Sequence, residues 1–148
     1  FISTLPYIAF SITMVFGRFF GDALAHKYGT RRVVISSGLI AAIGLSGGLL
    51  AGGTVGVVLG WVFLAAGSST VLPLILSLVG KLVKEEFADQ MSPAEAMATV
   101  TGIAYFGFLT GPIVIGFVST LISLRWAMLI PAALAIYVVI AGYLTVKD

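Results

Sequence analysis

GRFFGDALAHKYGTRR, residues 17–32 (Gly17–Arg32), starts inside an apolar run and ends on a basic cluster. Arg18, Asp22, His26, Lys27, Arg31 and Arg32 place six charged or imidazole groups within sixteen residues. On one side the chain is apolar from about Ile2; on the other, the forty-eight residues 33–80 carry no formal charge. About 20 apolar residues cross the hydrocarbon core of a bilayer. The uncharged run therefore holds two crossings, and the basic segment is a turn between membrane spans.

The whole composition agrees. The chain is 59% hydrophobic and 9% charged, with a mean hydropathy of +1.15, whereas soluble domains carry about 25% charged residues. A water-soluble globule is excluded. There is no cysteine, hence no disulfide framework or thiolate metal site. No phosphate-cradling loop or metal-ligand cluster stands out, so no cofactor and no nucleic-acid partner are expected. Phe1 opens an apolar segment without a basic region or small-residue cleavage site before it. The expectation is no signal peptide and a piece of a longer protein.

Five spans follow, at about 2–25, 33–52, 55–80, 93–122 and 126–146. The fold class is an all-α membrane protein, a bundle of transmembrane helices. Gly52, Gly53 and Thr54 form a turn, because adjacent glycines favour reversal over a continued helix. The polar stretch Lys81–Gln90 separates the third span from the fourth. Ser92-Pro93-Ala94-Glu95 then reads as a helix start, with Ser92 as N-cap, Pro93 in the first helical position and Glu95 closing a capping box. Barrel strands alternate apolar and polar residues over about ten positions; these runs are apolar on every face and longer.

Charge sets the orientation. With the Lys27–Arg32 turn in the cytoplasm, alternation puts Lys81, Lys84 and Lys147 on the same side and leaves Arg125 on the other. Basic residues accumulate on the cytoplasmic side of membrane proteins. Trp126 and Trp61 then fall near the outer interface, where indole rings favour the headgroup level.

Arg18 and Asp22 are four residues apart and share a helix face. Each would cost roughly 2.5–3.5 kcal/mol at the bilayer centre, so their presence is a candidate for a gate or coupling site. The bland account is that Arg18 reaches cytoplasmic headgroups and Asp22 balances the cluster.

The segment from Asp22 to Arg32 resembles the signature loop of the major facilitator superfamily, in which a Gly is followed four residues later by Asp, then a basic residue, a Gly and further basic residues. Lys27, Gly29, Arg31 and Arg32 match; Asp22 stands at the first Gly position and His26 at the Asp position. GIAYFGFLTGPIVIGF, with Gly102, Gly107, Gly111-Pro112 and Gly116, is followed by Leu124-Arg125-Trp126-Ala127-Met128. That pair resembles the eleventh helix and the turn into the twelfth of a branch of bacterial permeases. Gly17-Arg18 and Leu72-Pro73 fit the same branch. The resemblance implies helices eight to twelve of a twelve-helix secondary transporter in a bacterial inner membrane, with the amino-terminal half as partner and a small-molecule substrate. Helices two to six are the alternative placement, since the two halves are related repeats.

The resemblance also implies a cavity lined, in this half, by helices seven, eight, ten and eleven. Ser68, Ser69 and Thr70 lie about fourteen residues into the third span, roughly 21 Å along it, at the depth where transporter sites lie. Pro73 lacks an N–H and leaves the Ser69 carbonyl without its helical partner. Thr101 and Tyr105 share a face of the fourth span. These five are substrate-cavity candidates, with hydroxyls bonded back to their own helices, or core packing, as the plain alternative. Gly107 and Gly111, like Gly56 and Gly60, allow close helix approach, and Gly111-Pro112 marks a bending point. His26 is the sole histidine, and standing at an acidic position of the pattern does not make it a proton carrier. Two other classes remain: a non-transporting scaffold or sensor on the same fold, and a rhomboid-like serine protease suggested by Gly44-Leu45-Ser46-Gly47.

Overall fold

The computed structural model describes residues 4–146, apart from the side chain of Asp22. Six helices follow in order: α1 (Leu5–Tyr28), α2 (Thr30–Ala51), α3 (Gly53–Glu86), α4 (Pro93–Leu121), α5 (Leu124–Ala127) and α6 (Leu129–Thr145). Among the described residues there is no strand. Four helical stretches among the described residues are long and apolar enough to cross a membrane, and α1 adds the shorter apolar run Leu5–Gly21. The all-α membrane class holds. Lys147 in the orientation argument, and any pairing by the Asp22 carboxylate, lie outside the described residues.

The turn between the first two spans is tighter than expected. α1 continues through Lys27 to Tyr28, and α2 starts at Thr30, so Gly29 alone reverses the chain. Its φ of 86° lies where a Cβ is costly. The Gly29 N–H donates to the Ala25 carbonyl at 3.0 Å, and its own carbonyl accepts from Val33 at 3.2 Å, so one residue closes one helix and opens the next. Arg31 and Arg32 therefore sit in the first turn of α2 and not in a loop. The α2–α3 turn uses the same device at Gly52 and Gly53, with φ values of 67° and 65°.

The chain forms two compact units, Phe1–Leu72 with Met128–Asp148, and Pro73–Ala127. In the first, α2 packs along α6 and α1 packs on α2. Helices gain little from burying apolar surface in lipid, so close backbone approach has to supply the cohesion. Small residues provide it where α2 meets α6 and α3. A Cβ added at Gly38 would fall 2.6 Å from Val139 Cγ2, and one at Gly142 2.9 Å from Val34 Cγ1. Gly48 faces Gly56 and Gly60 of α3, where an added Cβ would lie 2.7 Å from the Gly60 Cα. Gly44 admits the Phe63 ring. Leu45, Leu49 and Ala132 form the buried cluster, with Leu64 and Met128 packed on it.

In the second unit the capping box at the start of α4 is complete. The Ser92 hydroxyl accepts from the Glu95 N–H at 3.3 Å, and the Ser92 N–H donates to Glu95 Oε2 at 2.8 Å. Pro93 occupies the first turn. Gly80 of α3 lies against the Met97 side chain. α5 ends at Ala127 and α6 begins at Leu129; Pro131 has no N–H to offer the Ala127 carbonyl, so one unbroken helix loses a bond at that point.

Candidate functional site

The first unit contains a cleft of about 600 Å³ between α1 and α2, floored by α3. Its walls are Phe16, Phe20 and Leu24 from α1 and Val33 and Ile40 from α2; Thr70 lies in the floor, and Tyr28 and Arg32 lie at one end. The floor exists because α1 is cut away where it crosses α3. Gly17 sits directly over Ser69, so that an added Cβ would overlap the Ser69 hydroxyl, and Gly21 sits over Thr70 with an added Cβ 2.8 Å from Thr70 Cγ2. Two glycines four apart thus seat α1 on a pair of hydroxyl residues.

Those hydroxyls are held by the protein. Ser69 is 1% exposed and donates to the Ala66 carbonyl at 2.9 Å. Thr70 is 4% exposed and shares a 2.8 Å hydrogen bond with Ser37 of α2. Ser68 donates to the Leu64 carbonyl at 2.6 Å. All three thus have protein partners; Ser69 and Thr70 lie in the contacts among α1, α2 and α3, with Thr70 bordering the cleft. The role of Ser37 was not visible in the sequence. Its signal was the small-residue run Ser36-Ser37-Gly38, which in a lipid-embedded helix marks a packing face.

The basic cluster separates into distinct functions. His26 and Lys27 lie in the last turn of α1, where the helix dipole favours positive charge. The Lys27 ammonium stands 5.3 Å from the centre of the Tyr28 ring. Arg31 and Arg32 lie at the start of α2, where the dipole disfavours them, so each needs another reason. For Arg31 it is visible: its guanidinium donates to the Tyr143 carbonyl at 3.0 Å and lies 4.8 Å from the centre of the Tyr143 ring. That carbonyl belongs to the last turn of α6, which lacks helical partners and carries the negative dipole end. Arg31 therefore caps a helix 112 residues away in sequence. Arg32, the next residue, is exposed and points to the cleft. Arg18 is exposed on α1.

In the second unit Thr101 donates to the Met97 carbonyl at 2.7 Å, and Tyr105 is 71% exposed. An added Cβ at Gly102, Gly107, Gly111 or Gly116 meets nothing within 4 Å, so the small-residue face of α4 stands open among the described residues. Pro112 lies inside α4. In the Gly44–Gly47 motif Gly44 packs on Phe63 and Leu45 lies in the core. Ser46 lies roughly 24 Å along α2 from Thr30, at the far end from His26.

A family model described as Major Facilitator Superfamily matches residues 2–148. Three relatives align over most of the chain. An uncharacterized MFS-type transporter of Yersinia pestis is 31% identical over 83% of this chain and 30% of its own length. Membrane protein MosC of Rhizobium meliloti is 28% identical over 95% of the chain and 33% of its own length. An uncharacterized transporter of Sinorhizobium fredii is 31% identical over 93% of the chain and 35% of its own length. The chain thus spans about a third of the length of the curated relatives it matches. No solved structure matches it.

Proposed function

The chain belongs to the major facilitator superfamily, and from that premise we propose that it forms helices eight to twelve of a twelve-helix secondary transporter. The transporter would move a small solute across a bacterial inner membrane by rocking two helical halves about a central site. The observation that carries this is the family match along residues 2–148, with relatives named as transporters. Members of the family are transporters and not enzymes. The carboxy-terminal placement rests on the altered loop, with Asp22 and His26 at its Gly and Asp positions, and on the Leu124–Met128 turn. The expected spans, near 2–25, 33–52, 55–80, 93–122 and 126–146, are helices eight to twelve in this assignment.

Within that reading Arg18, Asp22, Lys27, Gly29, Arg31 and Arg32 form the cytoplasmic gate. Gly29 sets the reversal and Arg31 fastens it to α6. The substrate-facing surface is assigned to the open face of α4 around Tyr105, with Thr101 beside it. Ser68, Ser69 and Thr70 are a separate candidate: their hydroxyls already have protein partners, and the group open to a solute in that turn is the Ser69 carbonyl, to which Pro73 offers no N–H. Gly107, Gly111 and Pro112 supply the bend of α4.

The test is made on the full-length transporter in proteoliposomes. A solute panel is screened for uptake, and a Tyr105→Cys variant is labelled with a membrane-impermeant thiol reagent. The transported solute should slow labelling. Absence of flux and of protection across the panel would leave a non-transporting scaffold or sensor as the better account. Arg18→Ala should lower the transport rate by about tenfold, a barrier increase of about 1.4 kcal/mol, with little change in affinity. Equal loss of rate and affinity would remove Arg18 from the gate.

A further inference from the structure

The cleft between α1 and α2 borders the gate assigned above at Arg32 and extends beyond it along α1. It runs beside α1 from Thr13 to Tyr28, about 22 Å at 1.5 Å per residue. One leaflet of the hydrocarbon core is about 15 Å deep. A groove of this length, starting at the membrane surface, accommodates a chain that traverses a leaflet. Its walls along that path are Phe16, Phe20, Leu24 and Ile40, all exposed. Its volume, about 600 Å³, falls in the range of about 300–1,000 Å³ typical of small-molecule sites.

Among the described residues that line the cleft, the charge is placed at one end. Arg32 and Tyr28 stand where α1 and α2 meet, with Lys27 beside Tyr28. Among the described residues Arg32 has no hydrogen bond or ion pair, whereas its neighbour Arg31 is engaged by α6. The cation sits at the start of α2, against the helix dipole, and at the membrane face that the distribution of basic residues assigns to the cytoplasm. Anionic lipids give that leaflet its negative surface potential.

We propose that this cleft binds an anionic phospholipid of the cytoplasmic leaflet, with the phosphate on Arg32 and one acyl chain along Phe16, Phe20 and Leu24. The occupant is a lipid and not a peptide or a free anion, because the groove is apolar for most of its length and cationic at the surface end alone. Its chemistry is independent of which solute the protein moves.

The experiment uses the full-length protein reconstituted with a Phe20→Trp reporter, and the signal is the difference from the protein without that substitution. Quenching is titrated with phosphatidylglycerol brominated on its acyl chains and with equally brominated phosphatidylcholine. Phosphatidylglycerol should quench with about fivefold higher affinity, the ratio that corresponds to about 1 kcal/mol per basic residue at a membrane surface. Arg32→Gln should bring the two lipids to equal affinity, and Arg32→Lys should keep the preference. Arg32 is exposed, so these changes leave the packing of α2 intact. A large excess of inorganic phosphate should displace nothing. Equal quenching by both lipids in the parent, an Arg32→Gln variant that keeps the preference, or displacement by inorganic phosphate would each overturn the proposal. So would the absence of quenching by either lipid, which would mean that another helix of the protein fills the cleft.

Discussion

Gly67 gives the sharpest test of the packing. A Cβ placed there would overlap the Ser37 carbonyl oxygen and fall 2.7 Å from Ala41 Cβ and 2.8 Å from the Ala41 nitrogen. Two of those three atoms are backbone and cannot rotate away, so Gly67→Ala must push α2 and α3 apart. Forcing an extra methyl into a packed contact costs about 1–3 kcal/mol. Three residues on, the same separation stretches the 2.8 Å hydrogen bond between Thr70 and Ser37, worth about 0.5–1.5 kcal/mol net. Alanine recovers about 1 kcal/mol of helix propensity over glycine, leaving a net loss of about 0.5–3.5 kcal/mol. Gly47→Ala is the control, because an added Cβ there meets nothing within 4 Å. The assay is reversible unfolding of the full-length protein in mixed micelles at increasing denaturing-detergent fraction. Should Gly67→Ala unfold within about 0.5 kcal/mol of the parent and no earlier than Gly47→Ala, the close approach of α2 and α3 would be refuted.

Two further perturbations probe other contacts. Arg31→Ala removes a charged hydrogen bond to the Tyr143 carbonyl, worth about 1.5–3 kcal/mol, and a ring contact worth about 0.5–1 kcal/mol; hydrogen exchange should rise in the last turn of α6, and Arg31→Lys should restore only part of the protection because an ammonium lacks the planar fork. Unchanged exchange would count against the cap. Ser92→Ala removes the hydroxyl that accepts from the Glu95 N–H and donates to Glu95 Oε2 at 2.9 Å, and it should lower protection of the first turn of α4 by about 1 kcal/mol without altering α1, α2 or α6.

Those features that depend on neighbours along the chain were legible in the sequence. The helices follow from uninterrupted apolar runs, the start of α4 from Ser92, Pro93 and Glu95, and the α2–α3 reversal from two adjacent glycines. The Gly56–Gly60 spacing correctly marked a close-packing face, although only the fold showed that Gly48 opposes it. What could not be read is which residues meet across long stretches of chain. Ser69 and Thr70 suggested a polar cavity by their depth, but Gly17 and Gly21 lie about fifty residues earlier, and nothing local says that α1 crosses there. Arg31 and Arg32 look interchangeable in sequence. A step of about 100° around a helix sends one to α6 and the other to the cleft.

The bond between Arg31 and Tyr143 also bears on how the protein is made. Its two ends are separated by 112 residues, and the whole of residues 73–127 lies between the two parts of the unit that they join. Chains emerge amino-terminus first, at about 5–20 residues per second, so α2 enters the membrane well before α6 exists. During that interval Gly38 and Val34 have no partner, and the small-residue face of α2 is open to lipid or to a membrane chaperone. A ribosome stalled before Leu129 would leave the unit unfinished however well its earlier helices had inserted. Assembly of the first unit is therefore a late event of synthesis, completed when α6 slides onto α2 and Arg31 closes over its end.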